Sequence, residues 1–272
     1  MGEKIMVLKL KSLLILFVKG VLIGGSMTVP GVSGGSMAMC FGIYDRLIFY
    51  TANFFKQKIK SIVYLSSVAL GGIIGIIVLS RFVMGAIVRE PQVTSYFFLG
   101  AIAGGIPVIT KKLEFKCNLK TFVPVFLGGL ALSLISLIPY GFLSSGAIGI
   151  IIAGILSAVA VILPGLSLSF VLYVCGVYNK LLLAVNGWDF AVLGPYLLSL
   201  IISLAAFTKL MDFCLKRYYN NTMLVVLGFT LMSVVEIFPG LPQNLDIIAS
   251  VISLIAGFYF IFLLSSIGKC EI

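Results

Sequence analysis

The sequence predicts an all-α polytopic membrane protein of two inverted-topology repeats, each a re-entrant helical hairpin followed by about three transmembrane helices. Three observations lead there. Hydrophobic residues make up 61% of the 272 residues and charged residues only 10%, with several apolar runs longer than the roughly 18 residues that mark a spanning helix. A membrane barrel would show short alternating strands instead. The stretch PGVSGGSMAMCFGIYDRL (residues 30–47) returns as PGLSLSFVLYVCGVYNKL (residues 164–181), an offset of 134 residues without a gap. Lastly, the basic residues sort to one side of the membrane when each of these stretches turns back to the face it entered from.

The repeat aligns Pro30 with Pro164, Gly31 with Gly165, Ser33 with Ser167, Gly42 with Gly176, Tyr44 with Tyr178 and Leu47 with Leu181. Asp45 becomes Asn179 and Arg46 becomes Lys180. Six identities in eighteen positions exceed what composition supplies, so the chain reads as two copies of one ancestral half. A single membrane domain then divides into repeat 1 (residues 1–139) and repeat 2 (140–272).

In chain order, residues 4–11 carry Lys4, Lys9 and Lys11 and read as a basic interfacial helix. No small-residue cleavage site follows, so the segment is expected to be retained. The first hairpin covers about 12–50 and turns at Pro30 and Gly31, because neither of its apolar pieces is comfortably long enough to span alone. Spans are expected at about 61–84, 93–110 and 121–139. The second hairpin, about 146–187, turns at Pro164 and Gly165. Spans at about 190–211, 222–239 and 247–267 complete the chain. Gly71/Gly75 and Gly100/Gly104 have the spacing of close helix contacts.

With the N-terminus in the cytoplasm, about sixteen of the 19 basic residues fall inside and only Arg81, Arg89 and Lys180 outside. Three spans separate the hairpins, so the first enters from the cytoplasm and the second from the opposite face. The +10 net charge thereby reads as membrane anchoring, with no nucleic-acid partner.

The chemistry concentrates at the two turns. Ser33 is positioned to cap a helix running from Met37 to Tyr44, whose first amides, around Gly34, Gly35 and Ser36, lack intrahelical acceptors. Bare amides are costly in hydrocarbon, and with the positive helix end they suit a phosphate or carboxylate. Ser167, Leu168 and Ser169 supply the second copy from the other side. Arg46 and Lys180, one toward each face, are candidates for drawing an anion to the two entrances. Arg81 is a candidate further phosphate contact, and Glu236, late in an apolar span, a candidate proton carrier.

The sequence has no histidine, no GxxxxGK[ST] loop and no clustered carboxylates in the spans. The five cysteines, Cys40, Cys117, Cys175, Cys214 and Cys270, form no CxxC and imply neither a disulfide framework nor a metal site. No enzyme, cofactor or metal is expected. Energy would come from a gradient, with H+ or Na+ as coupling ion, or from the substrate's own.

The paired motifs GSMTVPGVSGGSMAMCFGIYDRLI and VILPGLSLSFVLYVCGVYNKLL, with FFLGAIAGGIP at residues 97–107, resemble the bacterial undecaprenyl-phosphate (polyprenyl-phosphate) translocase family. Many members carry an acid or amide three positions before the first Pro, where this chain has Met27. Many also carry a basic residue in a late Gly-Ser-Leu-Arg-like motif, where it reads LMSVVEIFP. The resemblance implies a flippase of the plasma (inner) membrane that returns a polyprenyl phosphate from the outer to the inner leaflet for cell-wall synthesis. Read from residues alone, a secondary transporter of a small soluble anion and a structural membrane protein stay open.

Overall fold

A computed structural model describes residues 2–27, 32–111, 113, 118–139, 141, 146–242 and 246–266, and the side chains of these except 2–9, Ser136, Glu236 and Ser266. The described residues form twelve helices: α1 Gly2–Ser26, α2 Gly34–Cys40, α3 Tyr44–Ala52, α4 Lys58–Arg89, α5 Pro91–Thr110, α6 Leu119–Ser136, α7 Ala147–Ile162, α8 Leu168–Val174, α9 Tyr178–Gly187, α10 Phe190–Arg217, α11 Tyr219–Ile237 and α12 Asp246–Ser266. Among them α4, α5, α10 and α12 are long and apolar enough to cross a membrane, and α6, α7 and α11 contain shorter apolar helices. The chain is therefore a polytopic helical membrane protein, and four of the expected spans are found with their ends shifted by a few residues, whereas those expected at about 121–139 and 222–239 correspond to the shorter α6 and α11.

Two expectations need correction. The basic stretch 4–11 is no separate interfacial helix. It is the first part of α1, because neither Gly nor Pro interrupts residues 3–19. The helix expected from Met37 through Tyr44 is two helices, α2 and α3, and the second copy divides in the same way into α8 and α9, bent by 111°.

Both breaks are the same glycine device. Gly42 and Gly176 adopt φ of +70° and +72°, a left-handed conformation that glycine reaches without a Cβ penalty. The Gly42 amide donates to Met39 O (2.9 Å) and the Ile43 amide to Ala38 O (3.0 Å). In the second copy Gly176 donates to Tyr173 O (2.9 Å) and Val177 to Leu172 O (3.1 Å). These are paired Schellman C-caps, which satisfy the last carbonyls of the short helix before the chain turns.

Glycines also set the close packing of the long helices. Gly71 and Gly75 of α4 lie against the backbone of α1 at Phe17 and Val21, with no room for a Cβ. Gly100 and Gly104 of α5 meet Leu254 and Phe258 of α12 in the same way, as the sequence spacing predicts. The contacts recur in pairs. Gly100 on Leu254 is matched by Gly228 on Val125, and Gly257 on Phe97 by Gly128 on Val225, at an offset of 128 or 129 residues. Gly20 on Val68 is likewise matched by Gly154 on Tyr196. The offset has fallen from 134 to 132 at the starts of α4 and α10 (Lys58 and Phe190), where the joining loop is shorter in the second case, and to 128 at their ends (Arg89 and Arg217).

Candidate functional site

The first turn of α2 meets the Pro164–Gly165 turn that joins α7 to α8. Ser33, extended at φ −97° and ψ 146°, is the N-cap of α2, and its Oγ accepts the Ser36 amide at 3.1 Å. The Ser33 and Ser36 hydroxyls are 2.9 Å apart, and both accept the Gly165 amide, at 2.9 and 2.8 Å. Gly165 sits at φ +89°, just past the end of α7. A Cβ on Gly35 would stand 3.2 Å from Pro164 N, so the absence of a side chain there allows the two turns their approach. One turn further on, the Tyr44 hydroxyl donates to Ile162 O at 2.9 Å. Ser33 and Ser36 are buried, so these contacts form a polar seam inside an apolar core.

Beside this seam lies a cavity of about 350 Å³. Its polar end is formed by Ser33, Gly34 and Gly35 of the first copy and Ser167, Leu168 and Ser169 of the second. The remaining wall is largely apolar, with Leu47, Ile48, Val68, Ala160 and Leu204, and carries the hydroxyls of Thr51 and Thr208. Thr51 donates to Leu47 O at 2.8 Å and Thr208 to Leu204 O at 2.7 Å, each within its own helix. Hydrogen-bonding capacity is thus concentrated at the serine end, where the Gly34 and Gly35 amides precede the first intrahelical acceptor.

The sequence-predicted residues divide into three groups. Ser33, Gly34, Gly35, Ser167 and Ser169 line one cavity, with Ser36, Pro164 and Gly165 packed directly behind it. Ser36 spends its amide on Ser33, so it offers no bare N–H, and Ser167 makes no side-chain cap on α8. Arg46 and Lys180, half-buried on α3 and α9, and the exposed Arg81 on α4 are not part of the lining. Pro30, Gly31 and the Glu236 side chain lie outside the described residues.

Sequence reasoning missed Lys19, Tyr44, Thr51 and Thr208 as contributors. Lys19 is 4% exposed, and its Nζ donates to the carbonyl of Phe41, the C-cap residue of α2, at 3.0 Å. A lysine in mid-run of an apolar helix was the available signal, and for Tyr44 it was the repeated Gly-x-Tyr. Nothing in the local sequence marks the two threonines. Among the described residues, no three His, Cys, Asp or Glu side chains converge as a metal site would require.

A family model described as undecaprenyl phosphate translocase-like matches residues 23–254. The polyprenyl-phosphate transporter of Staphylococcus aureus is 31% identical over 260 residues, covering 88% of this chain and 92% of that protein. That of Vibrio cholerae is 28% identical over 237 residues, covering 82% of this chain and 77% of the relative. No solved structure matches the chain. With the family model running from the end of α1 into α12, across both serine turns and the cavity between them, this chain belongs to the undecaprenyl phosphate translocase-like family.

Proposed function

We propose that this protein carries polyprenyl phosphate across the bacterial plasma membrane, from the outer to the inner leaflet, and so recycles the lipid carrier for cell-wall synthesis. The observation behind this is the cavity in which serine turns from two widely separated parts of the chain meet at one end of an otherwise apolar wall. The phosphate is held at the Ser33–Gly35 and Ser167–Ser169 end, by hydroxyls and first-turn amides. The prenyl chain stays on the apolar side, so only the head group needs a polar path. The names of the Staphylococcus aureus and Vibrio cholerae relatives support this substrate class.

In this reading residues 1–139 and 140–272 are inverted repeats, with α1–α3 and α7–α9 the re-entrant arms and the N-terminus in the cytoplasm. The paired C-caps and the paired glycine contacts support the twofold organisation. Rocking of one half against the other exposes the cavity to each leaflet in turn. Arg46 and Lys180 act before the cavity, attracting the head group at each face, while Arg81 and Glu236 are assigned to further phosphate contact and to coupling with H+ or Na+. A small soluble anion would call for polar walls throughout, and Leu47, Ile48 and Leu204 favour the lipid.

The test uses proteoliposomes containing the pure protein and a labelled polyprenyl phosphate. Protein-dependent movement between leaflets is expected, slowed sharply by Ser33→Leu. Absence of transfer under any imposed ion gradient overturns the proposal, and uptake of free phosphate or carboxylates in its place supports the soluble-anion alternative.

A further inference from the structure

The packing of the two halves matches almost throughout. The contact of α1 with α4 is repeated by α7 with α10, that of α3 with α4 by α9 with α10, and that of α5 with α12 by α11 with α6. The exceptions all involve the first broken segment. Helix α2 packs on α5 and α7, and α3 packs on α10. Among the described residues, α8 and α9 make no contact of comparable extent with α11, α1 or α4. Burial differs accordingly. Residues 35–40 of α2 are all buried, whereas only Val171 and Val174 of α8 are. Met39 is 3% exposed and its counterpart Tyr173 46%.

Helix α3 is tied down beyond the cavity by a polar cluster. Asn53 Nδ2 donates to Asp212 Oδ2 at 3.2 Å, and Lys216 pairs with Asp212. The Lys216 ammonium also lies 5.1 Å from the centre of the Phe49 ring. The Tyr219 hydroxyl donates to Asp45 Oδ2 at 3.2 Å. Asp212 and Lys216 follow the cavity-lining Leu204 and Thr208 along α10 by one to three turns, so the cluster lies just beyond that end of the cavity.

We infer that the α3–α10 cluster is one of two alternating gates, shut in this structure, and that α9 against the C-terminal part of α4 is the other, here open. This rests on the inverted halves of the proposed function. On that orientation the shut gate is cytoplasmic, and the cavity communicates with the outer leaflet. Two halves of like construction around one cavity reach the opposite state by exchanging conformations. The register identifies the second gate. An offset of 134 takes Phe49 to Leu183, and the 128 of the long helices takes Asp212 and Lys216 to Met84 and Val88. Leu183 and Val88 are 71% and 77% exposed. Apolar exposure alone is ordinary for a lipid-facing helix, so the weight falls on the missing counterpart contact. The contacts that cross this gate, the Asn53–Asp212 hydrogen bond and the approach of Lys216 to the Phe49 ring, are individually weak enough to break in each cycle.

The experiment is paired cysteine cross-linking in the full chain, reconstituted in liposomes, with the five native cysteines replaced. Asn53→Cys with Asp212→Cys reports the first gate and Leu183→Cys with Val88→Cys the second; Phe49→Cys with Lys216→Cys replaces the first pair if that protein does not fold. Each bond is expected to form, to arrest transport at least tenfold and to release it on reduction. In a protein carrying all four cysteines, single molecules should hold one bond or the other. Both bonds in one molecule, failure of the Leu183–Val88 bond under every condition, or undiminished transport by the cross-linked protein overturns the inference. Exclusivity is read by mass spectrometry without any substrate. Exclusive bonds in a protein that moves no polyprenyl phosphate therefore sink the substrate assignment and leave the gates standing.

Discussion

The backbone amide of Gly165 donates to the side-chain hydroxyl of Ser33 at 2.9 Å, across 132 residues of chain, and to that of Ser36 at 2.8 Å. One N–H thus joins the halves at the polar end of the cavity. Either hydroxyl alone can satisfy it, so Ser36→Ala should be mild in stability, and Ser33→Ala should cost about 1 kcal/mol through loss of the α2 N-cap. The double variant leaves the amide buried without an acceptor, at a cost of about 1–3 kcal/mol. The expected result is a lowered unfolding temperature in detergent for the double variant, larger than the sum of the single effects, together with loss of transport. Additive single effects would refute the shared acceptor.

Tyr44 places its hydroxyl 2.9 Å from Ile162 O, the last residue of α7. Tyr44→Phe keeps the ring and removes the donor, leaving a carbonyl at the end of a buried helix without its partner. A destabilisation of about 1 kcal/mol is expected, with a larger effect on transport than on stability if the proposed rocking moves α3 against α7. Tyr178→Phe is the comparison. Its ring stacks on Tyr173 at 4.1 Å, which the substitution preserves, so little change is expected in the same two assays.

Much of this site was legible because turns demand particular residue types. Pro164, Gly165 and Ser33 mark a capped turn in any hydrophobic run, and the repeat fixed which glycines correspond. The break after α2 was not legible. Phe41 and Ile43 flank Gly42 with apolar side chains, so hydropathy passes through without interruption while the backbone reverses its handedness. Charge is legible only in part. Arg46, Lys180 and Arg81 were selected by sign and depth, but neither tells which way a side chain faces, and none of them lines the cavity. The 128-residue register of the long helices was equally hidden. Leu, Ile and Val are interchangeable on lipid-facing surfaces, and only the glycine contacts reveal it.

Lys19 illustrates the same limit at a single residue. Its ammonium donates to Phe41 O at 3.0 Å, at the C-terminal end of α2, where a positive charge also complements the helix dipole. The corresponding position in the second copy is Ala153, fully buried. Lys19→Met keeps the length and apolar character of the side chain but removes the donor. The expected loss is about 1–3 kcal/mol, read as a fall in unfolding temperature. Lys19→Arg should recover part of it if a positive donor is what the break requires. Equal loss in both variants would mean that packing, not the hydrogen bond, sets the requirement.

The paired glycine contacts make a prediction about symmetry itself. Gly100 lets α5 approach the Leu254 carbonyl of α12, and Gly228 lets α11 approach the Val125 carbonyl of α6, neither leaving space for a Cβ. If these are equivalent structural positions, Gly100→Leu should force α5 from α12 and Gly228→Leu α11 from α6, the two matching contacts that join one half to the other. The cost should be similar, about 1–3 kcal/mol by overpacking, and more if the helices separate along their length. Gly85 of α4 is the internal control, because a Cβ there meets nothing within 4 Å. Gly85→Ala should be neutral or stabilising by up to about 1 kcal/mol, since alanine is the better helix former. Thermal unfolding of the three variants in one detergent decides the matter. Comparable losses at 100 and 228, beside none at 85, fit two halves packed by one rule, whereas a loss at one glycine alone would limit the likeness of the halves to the cavity.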